Sequence, residues 1–388
     1  MKGILYTILA ILILYWLFTL IVPAIFEKGV NKTTIKKPYR YSQEAKELLE
    51  SLDFVADLHS DALLWDRDLT KASTYGHVDF KRMQEGHTAL QAFTIVTKSP
   101  KGQNFQENSS ETFDNITLLS IGQGQPVTTW FSLINRALYQ CKKLHRAAKR
   151  FNNEFIVVKS RADFQELLNR RKTNKNAIGG FLGIEGGHCL EGDIKNVDRL
   201  YDAGVRMLGP THFFDNEMGG SAHGIEQAGL TTFGKEVLKE MEKRSMFLDV
   251  AHSSEAVIDD VLDLYNGPIL TSHTGVKGTY DSPRNLSDKH LLAIAERDGI
   301  IGIAFFPGAI GTNTIAGIVN AMRYTTNLIG VEHVALGSDF DGSVTTPFDI
   351  SGLGLLIDEM LHQDFSKEEI KAILGENVKR YLGKFLSN

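Results

Sequence analysis

Side chains that bind metal ions follow six short apolar runs of this sequence. The runs lead into His59 and Asp61, Glu185, His212, His252, His273, and lastly Asp339 and Asp341. Imidazole nitrogens and carboxylate oxygens are ligands that Zn²⁺ and similar divalent ions accept. One such residue alone is usually structural, and an acid after a strand commonly caps the next helix. The same pattern at six places favours a metal site.

The number of candidate ligands predicts two ions rather than one. His59, Asp61, Glu185, His252 and His273 exceed what a single catalytic zinc with an open position needs. Two ions about 3.5–4 Å apart, bridged by one carboxylate, would use all five. Glu185 is the natural bridge, with His59 and Asp61 on one ion and His252 and His273 on the other. Such a pair activates a shared water and polarises a carbonyl.

The elements that carry these residues are predicted to alternate between strands and helices. Candidate strands are 53–57, 89–96, 180–185, 204–208, 246–251, 268–272, 299–305 and 334–338. Amphipathic stretches at 193–202, 233–244, 254–265 and 288–297 predict helices between them. Near-continuous apolar strands indicate burial on both faces, as in parallel sheets. The alternation predicts an α/β fold, a (β/α)8 TIM-like barrel, whose strands all end at one mouth.

One long connection departs from this regular alternation. Residues 97–125 are polar and rich in Gly, Asn and Ser, and residues 127–151 predict a long helix. A connection of this length either covers a site or forms a surface excursion. Both interpretations of 97–125 remain open at the sequence level.

Composition excludes several classes of protein. The 388 residues are 43 % hydrophobic and 23 % charged, which is typical of a globular chain. A net charge of −5 without a basic cluster in the body argues against nucleic acid as a partner. Two cysteines, Cys141 and Cys189, provide neither a disulfide framework nor a thiolate metal site.

The N-terminus predicts a membrane segment. The run from Ile4 to Phe26 carries no charge and is long enough to cross the ~30 Å hydrocarbon layer as a helix. A signal peptide usually has a shorter apolar core, but Val22-Pro23-Ala24 resembles a cleavage site, so a cleaved signal is the alternative. We therefore expect an anchor or signal at 1–27, a basic linker at 28–50 and a barrel domain at 51–388.

The orientation of this segment is weakly encoded. Lys28, Lys32, Lys36, Lys37 and Arg40 follow the apolar run, and charge bias alone would favour a cytoplasmic C-terminal side. Long domains are translocated largely regardless of that bias. The expectation is a domain anchored by a single N-terminal helix on the extracytoplasmic side of the membrane.

The motifs, taken in order, resemble the membrane (renal-type) dipeptidase family. They are "DLHSD" (57–61), "GIEGGH" (183–188), "GVRMLGPTH" (204–212), "DVAHSS" (249–254), "TSHTG" (271–275), "SPRNLSD" (282–288) and "SDFDG" (338–342). The likeness spans about residues 53–375, and the set together is close to diagnostic although no single motif is. The resemblance implies a binuclear zinc dipeptidase on a barrel of the metal-dependent hydrolase type.

Residue roles follow from the resemblance position by position. It implies that His59 and Asp61 bind one zinc, that His252 and His273 bind the other, and that Glu185 bridges both. It also implies that His212 polarises the substrate carbonyl, that Arg284 grips the terminal carboxylate of the dipeptide, and that Asp339 is the acid/base. In this scheme a metal-bridging hydroxide attacks the peptide bond, and His212, Arg284 and Asp339 contact the substrate.

Two other functions remain open at this level. Another binuclear barrel hydrolase would cleave lactones, phosphotriesters or cyclic amides, although such enzymes commonly need a bridging lysine where this chain has His212. A catalytically inactive family member would serve as a tethered tailoring component, which the full set of ligands argues against. A homodimer is also compatible with the sequence.

Overall fold

Eight parallel strands close into a barrel in the computed structural model, which describes residues 2–151 and 154–387. Met1 and Asn388, the outer limits of the predicted anchor and barrel segments, lie outside the described residues. The strands are β1 Lys32–Thr33, β2 Ala56–Ser60, β3 Leu90–Val96, β4 Phe155–Val157, β5 Ile178–Glu185, β6 Val205–Leu208, β7 Phe247–Asp249, β8 Ile269–Thr274, β9 Ile300–Ile303, β10 Val334–Leu336 and β11 Thr345–Thr346.

The barrel strands form a closed ring. Neighbouring strands run in the order β3-β2-β10-β9-β8-β7-β6-β5, and β3 also pairs with β5 from Leu90↔Gly179 to Val96↔Glu185. The short strand β4 pairs with the first residues of β5 outside this ring. Each of the eight barrel strands overlaps a predicted run, and the prediction of a (β/α)8 barrel is confirmed.

Helices surround the barrel and follow most of its strands. They are α1 Lys2–Val30, α2 Gln43–Ser51, α3 Phe80–Glu85, α4 Asn115–Gly122, α5 Leu133–Arg150, α6 Arg161–Arg171, α7 Lys195–Asp202, α8 Thr232–Lys243, α9 Glu255–Leu264, α10 Asp288–Glu296, α11 Pro307–Ile310, α12 Ile315–Ile329, α13 Leu353–His362, α14 Lys367–Lys371 and α15 Asn377–Phe385. Side-chain caps fix the first residue of several of these helices. At the start of α9, for example, Ser254 accepts a hydrogen bond from the Val257 amide at 3.0 Å.

Alternate residues of the strands pack on opposite sides of the barrel wall. On β8, Ile269 belongs to the cluster shared with the outer helices, whereas Leu270 belongs to an inner cluster that draws on all eight strands. This is the two-residue alternation expected of strands. Tyr381 of α15 joins the inner cluster and donates a hydrogen bond to the Ile269 carbonyl at 2.6 Å. The barrel interior is therefore a packed core at the end opposite the candidate site.

One sequence-based expectation about the long connection was wrong in detail. The predicted helix at 127–151 is divided, because Ser132 caps α5 by accepting from the Asn135 amide at 3.3 Å, and only a short 3-10 turn precedes it. The polar stretch 97–125 contains α4, whose start is capped by Asp114. The division of 127–151 comes from a cap that begins a helix within a periodic run.

The N-terminal helix is the one helix in the described part of the chain that is long and apolar enough to cross a membrane. Its most apolar 18-residue window has a mean hydropathy of 2.6, although a signal sequence would pass the same test. After α1 the chain does not form a free linker, because β1 pairs in parallel with β11 and α2 packs against α13.

Candidate metal centre

Glu185 lies at the centre of a cluster of histidines at the carboxyl end of the barrel. Its Oε1 atom is 3.1 Å from His252 Nε2, 3.4 Å from His273 Nε2 and 3.5 Å from His59 Nε2. Its Oε2 atom is 3.4 Å from His212 Nε2. One carboxylate thus faces imidazoles delivered by four different strands.

Two further carboxylates complete the cluster. His59 Nε2 is 3.6 Å from Asp61 Oδ1 and 3.8 Å from Asp339 Oδ1. Three overlapping groups have ligand atoms within 4.8 Å of one another: His59, His273 and Asp339; Glu185, His212 and His252; and His59, Asp61 and Glu185. The structure therefore brings together all the metal-ligand and acid/base residues named from the sequence.

Each residue reaches the centre from a strand end or from the loop after it. His59 lies within β2 and His273 within β8, rather than just after predicted strands at 53–57 and 268–272, because both strands extend further than the apolar runs. His252 and Asp339 lie in loops and adopt left-handed backbone conformations, with φ of 61° and 63°. Such strained positions are often found at functional sites.

A serine that sequence reasoning missed orients two of the histidines. Ser272 Oγ lies 2.8 Å from His59 Nδ1 and 3.0 Å from His273 Nδ1. A hydroxyl oxygen can accept from both Nδ1–H groups, which leaves both Nε2 lone pairs directed at the centre. Thr94 similarly donates to Asp61 Oδ1 at 2.7 Å. Neither residue has a sequence signal, because a serine or threonine in a strand is ordinary.

Asp57, at the start of the first motif, has a supporting position outside the metal cluster. It accepts hydrogen bonds from the Ser338 amide at 2.8 Å, the Ser338 hydroxyl at 2.6 Å and Gln91 Nε2 at 2.7 Å. These bonds join β2 to the residue that immediately precedes Asp339. The carboxylate therefore fixes the relative position of the first and last barrel strands.

Asp341 is also outside the cluster. Its carboxylate accepts hydrogen bonds from Arg67 Nη2 at 2.6 Å and from the amides of His77 and Val78 at 2.6 and 3.0 Å. Asp341 is therefore a structural residue that anchors the loop after β10.

Electrostatics indicate that the cluster suits a cation. Burial, together with Asp61, raises the pKa of the Glu185 carboxyl well above its ordinary value. Burial likewise raises the pKa of Asp339 to about 8 and lowers the pKa values of His252 and His273 well below their ordinary value. Divalent ions would compensate this concentration of buried carboxylates.

The donor geometry fits a divalent metal. His59 Nε2 has no hydrogen-bond partner among the described residues, and His252 Nε2 and His273 Nε2 face each other at 3.1 Å. Two imidazole nitrogens and a carboxylate oxygen that converge on the same space are ligands typical of zinc. The set present on this chain therefore fits metal ions bridged by a carboxylate.

Arg284 is buried beside this cluster. Its Nη2 donates to the His273 carbonyl at 2.7 Å, while its Nε has no hydrogen-bond partner in the described part of the chain. Burial lowers the pKa of its guanidinium, and Asp339 and Glu185 oppose that shift. A buried guanidinium with a free donor is suited to a carboxylate ligand.

Two cavities meet at the cluster. The larger, about 700 Å³, is lined by Asp61, Glu185, His212, Asp339 and others, and also by apolar residues of α1 and α4. The smaller, about 410 Å³, is lined by Arg284, and His252 borders both. The contribution of α1 was not foreseen, since nothing in an apolar run indicates what it packs against.

The sequence is similar to one family of known proteins and to two of its relatives. A profile of the membrane dipeptidase family, Peptidase family M19, matches residues 42–386. Dipeptidase aclJ of Aspergillus oryzae is 27 % identical over 350 residues, which are 85 % of this chain and 77 % of that protein. An uncharacterized dipeptidase of Schizosaccharomyces pombe, C3A11.10c, is 27 % identical over 319 residues, covering 79 % of this chain and 72 % of that protein.

Two bacterial crystal structures share the fold. A metallopeptidase of Rhodobacter sphaeroides, liganded with a phosphinate mimic of the dipeptide L-Ala-D-Ala, has a TM-score of 0.68 at 23 % identity and covers 86 % of this chain and 100 % of that chain. The probable dipeptidase PvdM of Pseudomonas aeruginosa has a TM-score of 0.73 at 18 % identity. The match covers 88 % of this chain and 98 % of that chain. At these identities the likeness concerns the fold.

Proposed function

Because the chain belongs to the membrane dipeptidase family, Peptidase family M19, we propose that it is a zinc-dependent dipeptidase with two metal ions per chain. The observation that carries the proposal is the position of Glu185 Oε1, which lies 3.1–3.5 Å from the Nε2 atoms of His252, His273 and His59. A carboxylate so placed is suited to bridge two ions.

The five ligands divide naturally between two sites. His59 and Asp61 would hold one zinc, His252 and His273 the other, and Glu185 both. Zinc ions at these positions would supply an activated water and polarisation of the scissile carbonyl. Ser272 keeps His59 and His273 aimed at the centre through their Nδ1 atoms.

Three other residues would act on the substrate. His212, at 3.4 Å from Glu185 Oε2, would donate to the carbonyl oxygen as negative charge develops there. Arg284 would bind the terminal carboxylate through its free Nε and a second donor. Asp339, buried beside His59, would take a proton from the attacking water and pass it to the leaving amine.

Restriction to dipeptides would follow if both ends of the substrate are bound. Arg284 would hold the carboxylate, while the free amine would lie near Asp61 and Asp339 on the other side of the bridging carboxylate. A longer peptide could not satisfy both ends. The names of the relatives support this substrate class, since two are dipeptidases and one solved structure holds a dipeptide mimic.

The N-terminal helix supports membrane attachment. Helix α1 is 29 residues long, and its uncharged run from Ile4 to Phe26 is apolar enough for a lipid environment. The proposal is an uncleaved anchor with the barrel on the extracytoplasmic side. Protease digestion of intact and opened cells that carry the full chain would test the side. We expect cleavage of the barrel already in intact cells, and protection there with cleavage only in opened cells would contradict an extracytoplasmic barrel.

Metal quantification combined with hydrolysis assays tests the proposed activity. We expect about two zinc ions per chain and cleavage of dipeptides with an L- or D-residue at the second position, but not of lactones or phosphotriesters. Arg284→Ala should raise KM for dipeptides at least tenfold with metal content unchanged, because a bidentate carboxylate contact is lost. Arg297→Ala, which removes a guanidinium bound to the Leu262 and Tyr265 carbonyls, is the matched control.

Other outcomes would identify the alternatives. Cleavage of lactones or phosphotriesters in place of dipeptides would indicate a different binuclear hydrolase. Well under two ions per chain, with no peptidase activity after zinc addition, would indicate an inactive tailoring component.

A further inference from the structure

Helix α1 supplies one wall of the cavity above the candidate metal residues. Phe18, Val22 and Phe26 are four residues apart on the helix and line the same cavity as Asp61 and Asp339. Residues at this spacing share one helix face. We call Phe18, Val22 and Phe26 the α1 wall.

The α1 wall is packed against the catalytic domain. The Phe26 ring lies 6.1 Å from the Trp65 ring, measured between centroids, and Trp65 belongs to a buried apolar cluster of the barrel mouth. Phe18 lies beside α4. A Cβ atom added to Gly122, the last residue of α4, would be 3.5 Å from the Phe18 ring. Tyr15 donates to the Ile121 carbonyl at 2.7 Å. One face of α1 therefore contacts the domain, while Phe18 and Phe26 remain 45 % and 53 % exposed.

The end of α1 is fastened to the loop that follows β10. Arg67 donates to the buried Glu27 carboxylate through Nε and to Asp341 through Nη2. The Ser343 amide donates to Asn31 Oδ1 at 2.9 Å. This loop also carries Asp339, so the wall and the proposed acid/base belong to one connected unit.

The position of the wall relative to the substrate follows from the two cavities. Arg284 lines the smaller cavity, while the α1 wall, Asp61 and Asp339 line the larger one. On the proposed function, Arg284 takes the carboxylate of the second residue and the amine lies near Asp61. The side chain of the first residue then extends into the larger cavity and meets the wall.

We propose that the α1 wall forms an apolar subsite for the first side chain of the dipeptide, so that the membrane helix selects substrates with a bulky apolar first residue. This inference rests on the proposed function and extends it to the substrate class. Helix α1 acts as a specificity-determining part of the site in addition to any role as an anchor.

Kinetics of the full-length chain in detergent micelles test the subsite. The probes are Leu-Ala against Gly-Ala for the first residue, and Ala-Leu against Ala-Gly for the second. Phe26→Ala and Phe18→Ala should each lower the ratio of kcat/KM for Leu-Ala over Gly-Ala roughly tenfold, the scale of a few lost methylene contacts. The ratio for Ala-Leu over Ala-Gly should stay constant. Ile25→Ala is the matched control, since Ile25 lies on the same helical turn but is not among the residues that line the cavity.

The outcomes separate this inference from the proposed function. An unchanged Leu-Ala to Gly-Ala ratio in both variants would overturn the subsite while wild-type cleavage of dipeptides upholds the activity. An equal fall for both substrates would make the wall purely structural and also overturn it. If wild-type protein with two bound zinc ions cleaves no dipeptide, the proposed function fails and the subsite fails with it.

Discussion

The hydroxyl of Ser272 illustrates how one small residue can control two candidate ligands. It contacts the Nδ1 atoms of His59 and His273, whose Nε2 atoms face Glu185. The rings of these two histidines also lie close together, with centroids 3.7 Å apart. Because partners of this kind set both the tautomer and the ring angle, Ser272 should influence metal affinity without touching metal.

Ser272→Ala should weaken zinc binding roughly 10–100-fold, the usual effect of removing a residue that orients a ligand. Competition with a chelator of known affinity would measure this change. Ser120→Ala is the control, because Ser120 is equally buried but its hydroxyl has no partner in the described residues. Equal zinc affinities for the two variants would show that packing alone orients His59 and His273.

At the residue scale, the sequence predicts the candidate ligands but not the residues that orient them. Histidines and acids after apolar runs are recognisable because few structural roles require such residues at so many strand ends. Ser272, Thr94 and Asp57 act through hydrogen bonds, most of them to residues distant along the chain. A serine or threonine within a strand carries no pattern that would identify such a partner.

At the scale of elements, the junction between α1 and the loop after β10 depends on a buried ion group. Arg67 lies between the carboxylates of Glu27 and Asp341, and all three side chains are almost fully buried. Buried ions are tolerated when each has a partner, and removal of the shared cation leaves two carboxylates without compensation.

Arg67→Met should lower the free energy of unfolding by about 3–5 kcal/mol, because it leaves Glu27 and Asp341 buried and unpaired. Denaturant titration of the full chain in micelles would measure the loss. The control is Arg380→Met, which breaks the partly exposed pair with Asp298 and should cost about 1 kcal/mol or less. A similar loss in both variants would mean that the junction adds nothing beyond a surface contact.

Strands and regular helices are well predicted at this scale, whereas junctions are not. The helices at 193–202, 233–244, 254–265 and 288–297 were found within two residues of their predicted limits. Their periodic apolar residues indicate directly which face of each helix is buried against the barrel. The packing of α1 on α4 was not predictable, because an apolar helix is equally suited to lipid and to protein.

For the whole molecule, buried neutral histidines link stability to pH. His188 is fully buried against Phe214, with Nε2 3.0 Å from Thr97 Oγ1, and burial together with Lys98 lowers its pKa from 6.5 to about 3. Between these two values the unfolded chain binds a proton that the folded chain does not. Stability is therefore fully present above about pH 6.5 and is lost as the pH falls.

His188→Gln should flatten the decline in stability between pH 6.5 and 5, since one group contributes at most about 1.4 kcal/mol per pH unit. Midpoints of unfolding measured for wild type and His188→Gln across this pH range would show the smaller decline. The exposed His362 offers a control, because His362→Gln should leave the slope of the wild-type curve unchanged. Parallel curves for wild type and His188→Gln would place the acid sensitivity elsewhere.

The closure of the barrel has a consequence for synthesis. Strand β2 pairs with β10, and Ser338 donates to Asp57 across 281 residues of chain. While the ribosome is still making the intervening residues, β2 has an unpaired edge. The candidate ligands at the end of β2 are then present before the strands that carry the other site residues have been translated. The candidate site is thus completed only at the end of synthesis, because Asp339 follows β10 and a nascent chain that stops before β10 lacks it.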